Sequence, residues 1–342
     1  MRIIISALLM LILAGLAYGA KNNQDTKPIP EGVEKINGPY NRPYYVMLPE
    51  KFDPSKPYWL YVLVHGAGGD GLCVSKGKSF KYKEQCIFVG PSFPESSTEG
   101  YYQILGGNAD KQLDQIFAEL KKKYKLHDRF MLQGHSGGSQ FSHRYTMANP
   151  KSVLACIATS GGSWGETNSS AKYIPFIFSC GELDTGKSVP TSAMGRLDWY
   201  RQFRDSMIKG QYFYTTQVVP GKGHGAEDFA AEKRGELFLL ATTGLWPNQR
   251  AELDLKLSEI RNLMEGDNKA LETEAINKLR SFKPISKPNF SSQSIDDTDP
   301  EQQKKTHKIN EYGYTTNPQA EKYLAERFNY YLEQKLIPEL KN

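Results

Sequence analysis

The stretch Arg129-Phe130-Met131-Leu132-Gln133-Gly134-His135-Ser136-Gly137-Gly138 joins a β-prone run to a G-x-S-x-G pentapeptide, and a helix-like segment follows it. A strand that turns sharply into a helix forces the central serine into strained backbone geometry, and a Cβ on either flanking residue would strike neighbouring chain. Ser136 is therefore the candidate nucleophile, its hydroxyl presented at the edge of a sheet.

The other strand-like runs are arranged around this one. Residues 58–64 are almost continuously apolar, as expected of a strand covered on both faces, and end in His65-Gly66-Ala67-Gly68-Gly69. Further strands are expected at 33–36, 44–48, 86–91, 153–158, 174–179 and 212–219, with amphipathic helices at 108–124 and 226–240. In the helix at 108–124, Lys121, Lys122 and Lys123 crowd the last turn, where positive charge suits the dipole. This alternation predicts a mostly parallel central sheet flanked by helices.

A serine hydroxyl is a weak nucleophile at neutral pH and needs a histidine base oriented by a carboxylate. Both follow Ser136 in the chain, each just beyond a predicted strand: Asp184 in Gly181-Glu182-Leu183-Asp184 and His224 in Gly223-His224-Gly225. Glu182 is the rival acid, with Asp198 and Asp205 more distant alternatives; the deeper loop position favours Asp184. The oxyanion needs preorganised N–H donors. Gly137, next to the nucleophile, supplies one, and Ala67 in the glycine-rich loop supplies the other, with Gly68 as its alternative.

Together these residues resemble the α/β-hydrolase superfamily, and within it the secreted feruloyl esterases and poly(3-hydroxybutyrate) depolymerase-like proteins. The resemblance runs over about residues 42–245 and includes Ala158-Thr159-Ser160-Gly161-Gly162. It implies the α/β-hydrolase fold, the chain order Ser, Asp, His, and a serine esterase working through an acyl-enzyme on carboxylic esters, acyl or feruloyl esters of polysaccharides included. Phe93, Tyr101, Tyr102 and Trp164 are expected near the mouth, where aromatic rings stack on a sugar or aryl group. Two other readings stay open: a prolyl-oligopeptidase-type serine peptidase, and a non-catalytic binding protein on the same fold.

Composition narrows the field further. A net charge of +5 over 342 residues, with lysines interspersed among acids, gives no nucleic-acid footprint. Lys76, Lys78, Lys81 and Lys83 form one local basic cluster. No metal and no cofactor is expected: His65 and His135 lack companions at ligand spacing, and neither glycine-rich loop has a phosphate-binding pattern. Four cysteines are compatible with two disulfides, Cys73 with Cys86 being the favoured pair and Cys156 with Cys180 the other.

Three segments are read from the ends. Residues 1–20, with Arg2 before an apolar run and Ala17-Tyr18-Gly19-Ala20 after it, read as a cleaved signal peptide, implying a secreted or periplasmic protein without a membrane anchor after cleavage. Residues 21–248 form the catalytic domain. Residues 249–342 read as a helical C-terminal extension with helices at 251–264, 269–279 and 318–336 and a mobile linker at 283–308. Its role is a lid, a homodimer contact or a docking element.

Overall fold

The computed structural model describes residues 28–94, 101–187, 192–263, 269–295 and 297–341, so the signal-peptide segment lies outside the described residues. An eight-stranded sheet forms the centre. Its strands are β1 (Val33–Asn37), β2 (Pro43–Met47), β3 (Tyr58–Val64), β4 (Cys86–Pro91), β5 (Leu126–His135), β6 (Val153–Thr159), β7 (Phe176–Gly181) and β8 (Tyr214–Val219). They lie in the order β1-β2-β4-β3-β5-β6-β7-β8. β1 pairs antiparallel with β2 and β2 with β4, and every later pairing is parallel. This is the α/β-hydrolase arrangement, in which parallel strands deliver their carboxyl ends, and the loops that follow them, to one edge.

Among the parallel strands β3, β6 and β7 are nearly all apolar and bury every residue, because both faces are covered. On one face, α1 (Ala109–Lys123), α2 (Gly137–Ala148) and α3 (Arg196–Lys209) contribute to a cluster with Leu113, Ile116, Phe141, Tyr145 and Phe203. On the other, α4 (Asp228–Thr243) brings Leu237, Phe238 and Ala241 against Tyr61, Leu154 and Ile177.

Beyond α4 come α5 (Pro247–Leu263), α6 (Lys269–Arg280), β9 (Phe290–Ser294), the single turn α7 (Pro300–Gln303), β10 (Thr306–Asn310), α8 (Pro318–Tyr331) and α9 (Ile337–Lys341), with a π-helical turn, Leu332–Leu336, between the last two. Residues 283–308, read above as a mobile linker, instead hold β9, α7 and most of β10, paired as an antiparallel hairpin. Composition misleads here because the hairpin is polar on its outer side and is anchored by ion pairs rather than apolar area. Asp297, fully buried in its side chain, receives Arg201 at 2.6 and 3.1 Å and also bonds the buried Arg204, and Lys305 reaches Asp205 at 2.6 Å.

The tail shares the core of the sheet. Tyr314, Ala320, Tyr323 and Leu324 belong to the same cluster as the α4 face, and Thr315 exchanges hydrogen bonds with the backbone of Tyr214 on edge strand β8. Tyr323 donates to Leu154 O at 2.9 Å, Arg327 meets Asp128 at 3.1 Å and lies over Trp59 and Tyr330, and the Tyr330 hydroxyl is 2.9 Å from His127 Nδ1. Trp59, His127, Asp128, Leu154 and Tyr214 all stand at or near the amino ends of their strands. α8 is therefore packed at the opposite edge from Ser136, and the lid expectation for this helix is corrected.

The four cysteines are free. Cys86 is buried at the start of β4, and Cys73 turns its thiol to Leu63 O at 3.2 Å, so the expected Cys73 to Cys86 pair is absent. Burial pushes the Cys73 thiol up to about 12.

Two predictions follow from the tail docking. Gly244 has φ +71°, and a Cβ there would stand 2.0 Å from Leu324 O and 2.5 Å from Phe328 N. Gly244→Ala is expected to lose about 2 kcal/mol or more in urea unfolding as α8 lifts. His127, stacked on Trp59 at 3.8 Å, is held down to about 4 by burial and by Arg327. Its unfolded form binds a proton that the folded form refuses, so stability present above about pH 6.5 falls by about 1.4 kcal/mol per unit as pH drops toward the folded value. Thermal unfolding from pH 7 to 4 should show a shallower acid loss in His127→Gln than in wild type.

Candidate active site

β5 ends at His135 and α2 begins at Gly137, leaving Ser136 alone in the turn with φ 56° and ψ −118°. That is a sparsely populated conformation for a residue with a side chain. The flanking glycines make it possible: a Cβ on Gly134 would stand 2.1 Å from Gly138 O, and one on Gly138 would stand 2.2 Å from Val64 O. Strand, turn, helix and neighbouring β3 thus touch through bare backbone.

The loop after β7 supplies Asp184 and the loop after β8 supplies His224. Ser136 Oγ lies 2.8 Å from His224 Nε2, and His224 Nδ1 lies 2.8 Å from Asp184 Oδ2. Residues 136, 184 and 224 are thus joined in one hydrogen-bonded chain. The Asp184 side chain is 2% exposed and that of His224 38%, so the carboxylate is sealed while the imidazole faces solvent. Arg196 Nη1, 3.4 Å from Asp184 Oδ1, gives the buried carboxylate a charged partner on its other oxygen.

The other acids are engaged elsewhere. Glu182 accepts from Gly221 N at 2.6 Å, Asp198 accepts from Gly195 N at the start of α3, and Asp205 pairs with Lys305 and Arg204. Only Leu183 separates Glu182 from Asp184, yet of the two acids Asp184 alone bonds the imidazole.

The loop after β3 closes over the elbow. A Cβ on Gly66 would contact Ser136 Cβ at 3.4 Å, and one on Gly137 would stand 3.1 Å from Ala67 N. Ala67 and Gly137 therefore face the same space beside Ser136, and the Gly137 N–H is one of the first-turn donors of α2, which lack intrahelical acceptors. His65 holds the loop in place: its Nδ1 lies 2.8 Å from Gly66 O, its Nε2 accepts from Phe93 N at 3.0 Å, and its carbonyl accepts from Tyr102 Oη at 2.9 Å.

His135 lies beside the His224 ring, centroids 5.3 Å apart, with Nδ1 3.1 Å from Thr159 Oγ1 and 3.4 Å from Glu227 Oε1. Burial holds its imidazolium below the ordinary histidine range against the opposite pull of Glu227, so it is neutral near pH 7. Among the described residues no group of His, Cys, Asp and Glu is arranged to hold a metal ion.

Three expectations about the mouth change. Phe93, Tyr102 and Trp164 are 4%, 0% and 4% exposed and pack in the core, leaving Tyr101 as the exposed ring. The four lysines each have a contact of their own: Lys76 pairs with Glu227, Lys83 with Glu50, Lys78 bonds Glu31 O, and Lys81 lies over Tyr82. Arg196, His65 and Tyr102 carry positioning roles that the sequence does not signal, since each acts through contacts 12 to 37 residues away.

No model of a protein family matches the chain, and no curated protein does. Solved structures match part of the chain at low identity. A thermostable esterase is 17% identical over 61% of this chain and 62% of its own, with a TM-score of 0.48, so the chain spans less than two thirds of its length. An S-formylglutathione hydrolase from Agrobacterium tumefaciens is 13% identical over 61% and 93%, with a TM-score of 0.47. A ferulic acid esterase from Anaeromyces mucronatus is 16% identical over 62% and 90%, with a TM-score of 0.44.

The elbow yields a direct check. Gly138→Ala places a methyl group into the Val64 carbonyl, and the turn must open to admit it. Reaction of Ser136 with a fluorophosphonate is expected to slow at least about 100-fold, since an ångström of misplacement costs that much.

Proposed function

We propose that this protein is an exported serine hydrolase that cleaves carboxylic esters through an acyl-enzyme. The observation that carries the reading is the pair of 2.8 Å contacts joining Ser136, His224 and Asp184 in one hydrogen-bonded chain. Export rests on the leader-like residues 1–20.

His224 Nε2 takes the proton of Ser136 as Oγ attacks the ester carbonyl, and the resulting imidazolium is stabilised by Asp184. The same chain of bonds fixes the tautomer beforehand: Nδ1–H donates to Asp184, leaving the Nε2 lone pair toward the serine. The N–H groups of Ala67 and Gly137 receive the oxyanion, and because the fold already holds both they need no reorganisation as charge develops. His224 then passes its proton to the departing alcohol. Water, activated by the same imidazole, attacks the acyl-enzyme, and the acid leaves.

Among esters, we favour acyl and feruloyl esters of polysaccharides. The support is Tyr101, 56% exposed, which precedes Tyr102 in a loop whose Tyr102 hydroxyl would lie 2.6 Å from a Cβ on Gly137.

Hydrolysis of p-nitrophenyl acetate and methyl ferulate by wild type and Ser136→Ala tests the reading, with circular dichroism confirming the fold. The variant is expected to lose about 10⁴-fold or more in kcat. Equal turnover by both proteins would remove Ser136 from the chemistry. A wild type inactive on both esters would overturn the ester reading.

A further inference from the structure

The outer side of α8 and the chain that crosses it line an open groove of about 600 Å³. Residues 282–290 run over the helix as an extended strap whose alternate residues differ in exposure: Phe282, Pro284, Pro288 and Phe290 turn inward and are half-buried, while Lys283, Ile285 and Lys287 are exposed. The opposite wall is Leu324, Ala325 and Phe328 of α8, and Trp246 closes one end. Strap residues are tied down by Glu252, which accepts from Ile285 N at 2.8 Å and Ser286 N at 2.7 Å, and by Gln249, which donates to Ser286 O at 3.0 Å.

Two features of this space identify the class of occupant. Its lining is more apolar than polar, and the volume falls in the range of pockets that hold small ligands. Lys283 and Lys287 stand at the rim; Arg280, also there, is engaged by Glu333 at 3.0 Å, and Glu321 is the one acid among the lining residues. An alkyl body with a single anionic head matches both.

We propose that the groove between α8 and the strap of residues 282–290 binds a long-chain carboxylate, its alkyl chain against Trp246, Phe282, Leu324 and Phe328 and its head group at the Lys283 and Lys287 rim. The site is separate from the triad. α4 leaves the His224 loop and runs 16 residues to Gly244, beside the groove, which is about 24 Å along a helix axis. The proposal therefore stands or falls independently of the esterase reading.

The test is calorimetric titration of the full chain with octanoate, dodecanoate and dodecyltrimethylammonium, each below its micellar concentration. Dodecanoate is expected to bind with one-to-one stoichiometry and at least about tenfold more tightly than octanoate, because each buried methylene favours the longer chain. The cationic amphiphile should bind at least fivefold more weakly than dodecanoate. Ala325→Trp, at an exposed position of α8, should abolish binding while leaving hydrolysis of p-nitrophenyl acetate unchanged, and the Lys283→Glu, Lys287→Glu double variant should weaken it at least fivefold with the same fold by circular dichroism. Absence of dodecanoate binding, binding that ignores both variants, or equal binding of the cation would overturn the proposal. So would an Ala325→Trp protein that goes from dimer to monomer in sedimentation while the wild type binds no dodecanoate, since the groove would then be a contact between copies.

Discussion

The structure depends on one backbone constraint: β5 must reverse into α2 within a single residue while both lie against β3. The space for that reversal is so small that Gly134, Gly138 and the Val64 carbonyl meet at distances no Cβ would allow. Ser136 absorbs the reversal by adopting φ 56°, ψ −118°. Two consequences follow from the same geometry. The hydroxyl stands clear of the sheet, and the first N–H of α2 lies beside it, so the proposed nucleophile and the proposed oxyanion donor come from adjacent residues. Packing of the strands on both faces holds this conformation, since α2 is anchored through Phe141 and Tyr145 in the core.

Parallel pairing does the rest of the assembly. With β5, β6, β7 and β8 in one direction, the loops after β7 and β8 emerge on the same edge as the elbow, and residues separated by 88 and 40 positions close to 2.8 Å. Burial differs along that chain in a useful way. Asp184 is sealed and paired with Arg196, so its carboxylate is fixed in place, whereas His224 keeps contact with solvent. A carboxylate placed at Glu182 instead would be spent on the backbone of the loop after β8, at Gly221, as that residue is.

Much of this was legible in the sequence, because the deciding signals are local. Continuous apolar runs mark the buried strands: 58–64 and 86–91 coincide with β3 and β4. Glycines mark the elbow and the loop over it, and the histidine and aspartate each follow a strand. What the sequence does not carry are contacts between distant polar residues. Nothing local distinguishes Arg196 from any other helix-start arginine, or shows that Tyr102 is a buried prop and not a surface ring. The same gap explains the hairpin at 290–310. Its composition is that of a linker, and its order comes from Asp297 meeting Arg201 and Arg204, almost a hundred residues away. The tail likewise reads as an appendage, yet Tyr314, Tyr323 and Leu324 complete the core of the sheet at the strands' amino ends.

The central claim is that Ser136 is activated by His224, and intact-mass spectrometry after treatment with an uncharged aryl fluorophosphonate tests it most directly. The account predicts one phosphonyl adduct per chain, carried by the peptide containing Ser136, formed by wild type and suppressed at least about 100-fold in rate in a folded His224→Ala variant. An adduct on another residue, or one that forms on Ser136 equally fast without His224, would contradict it.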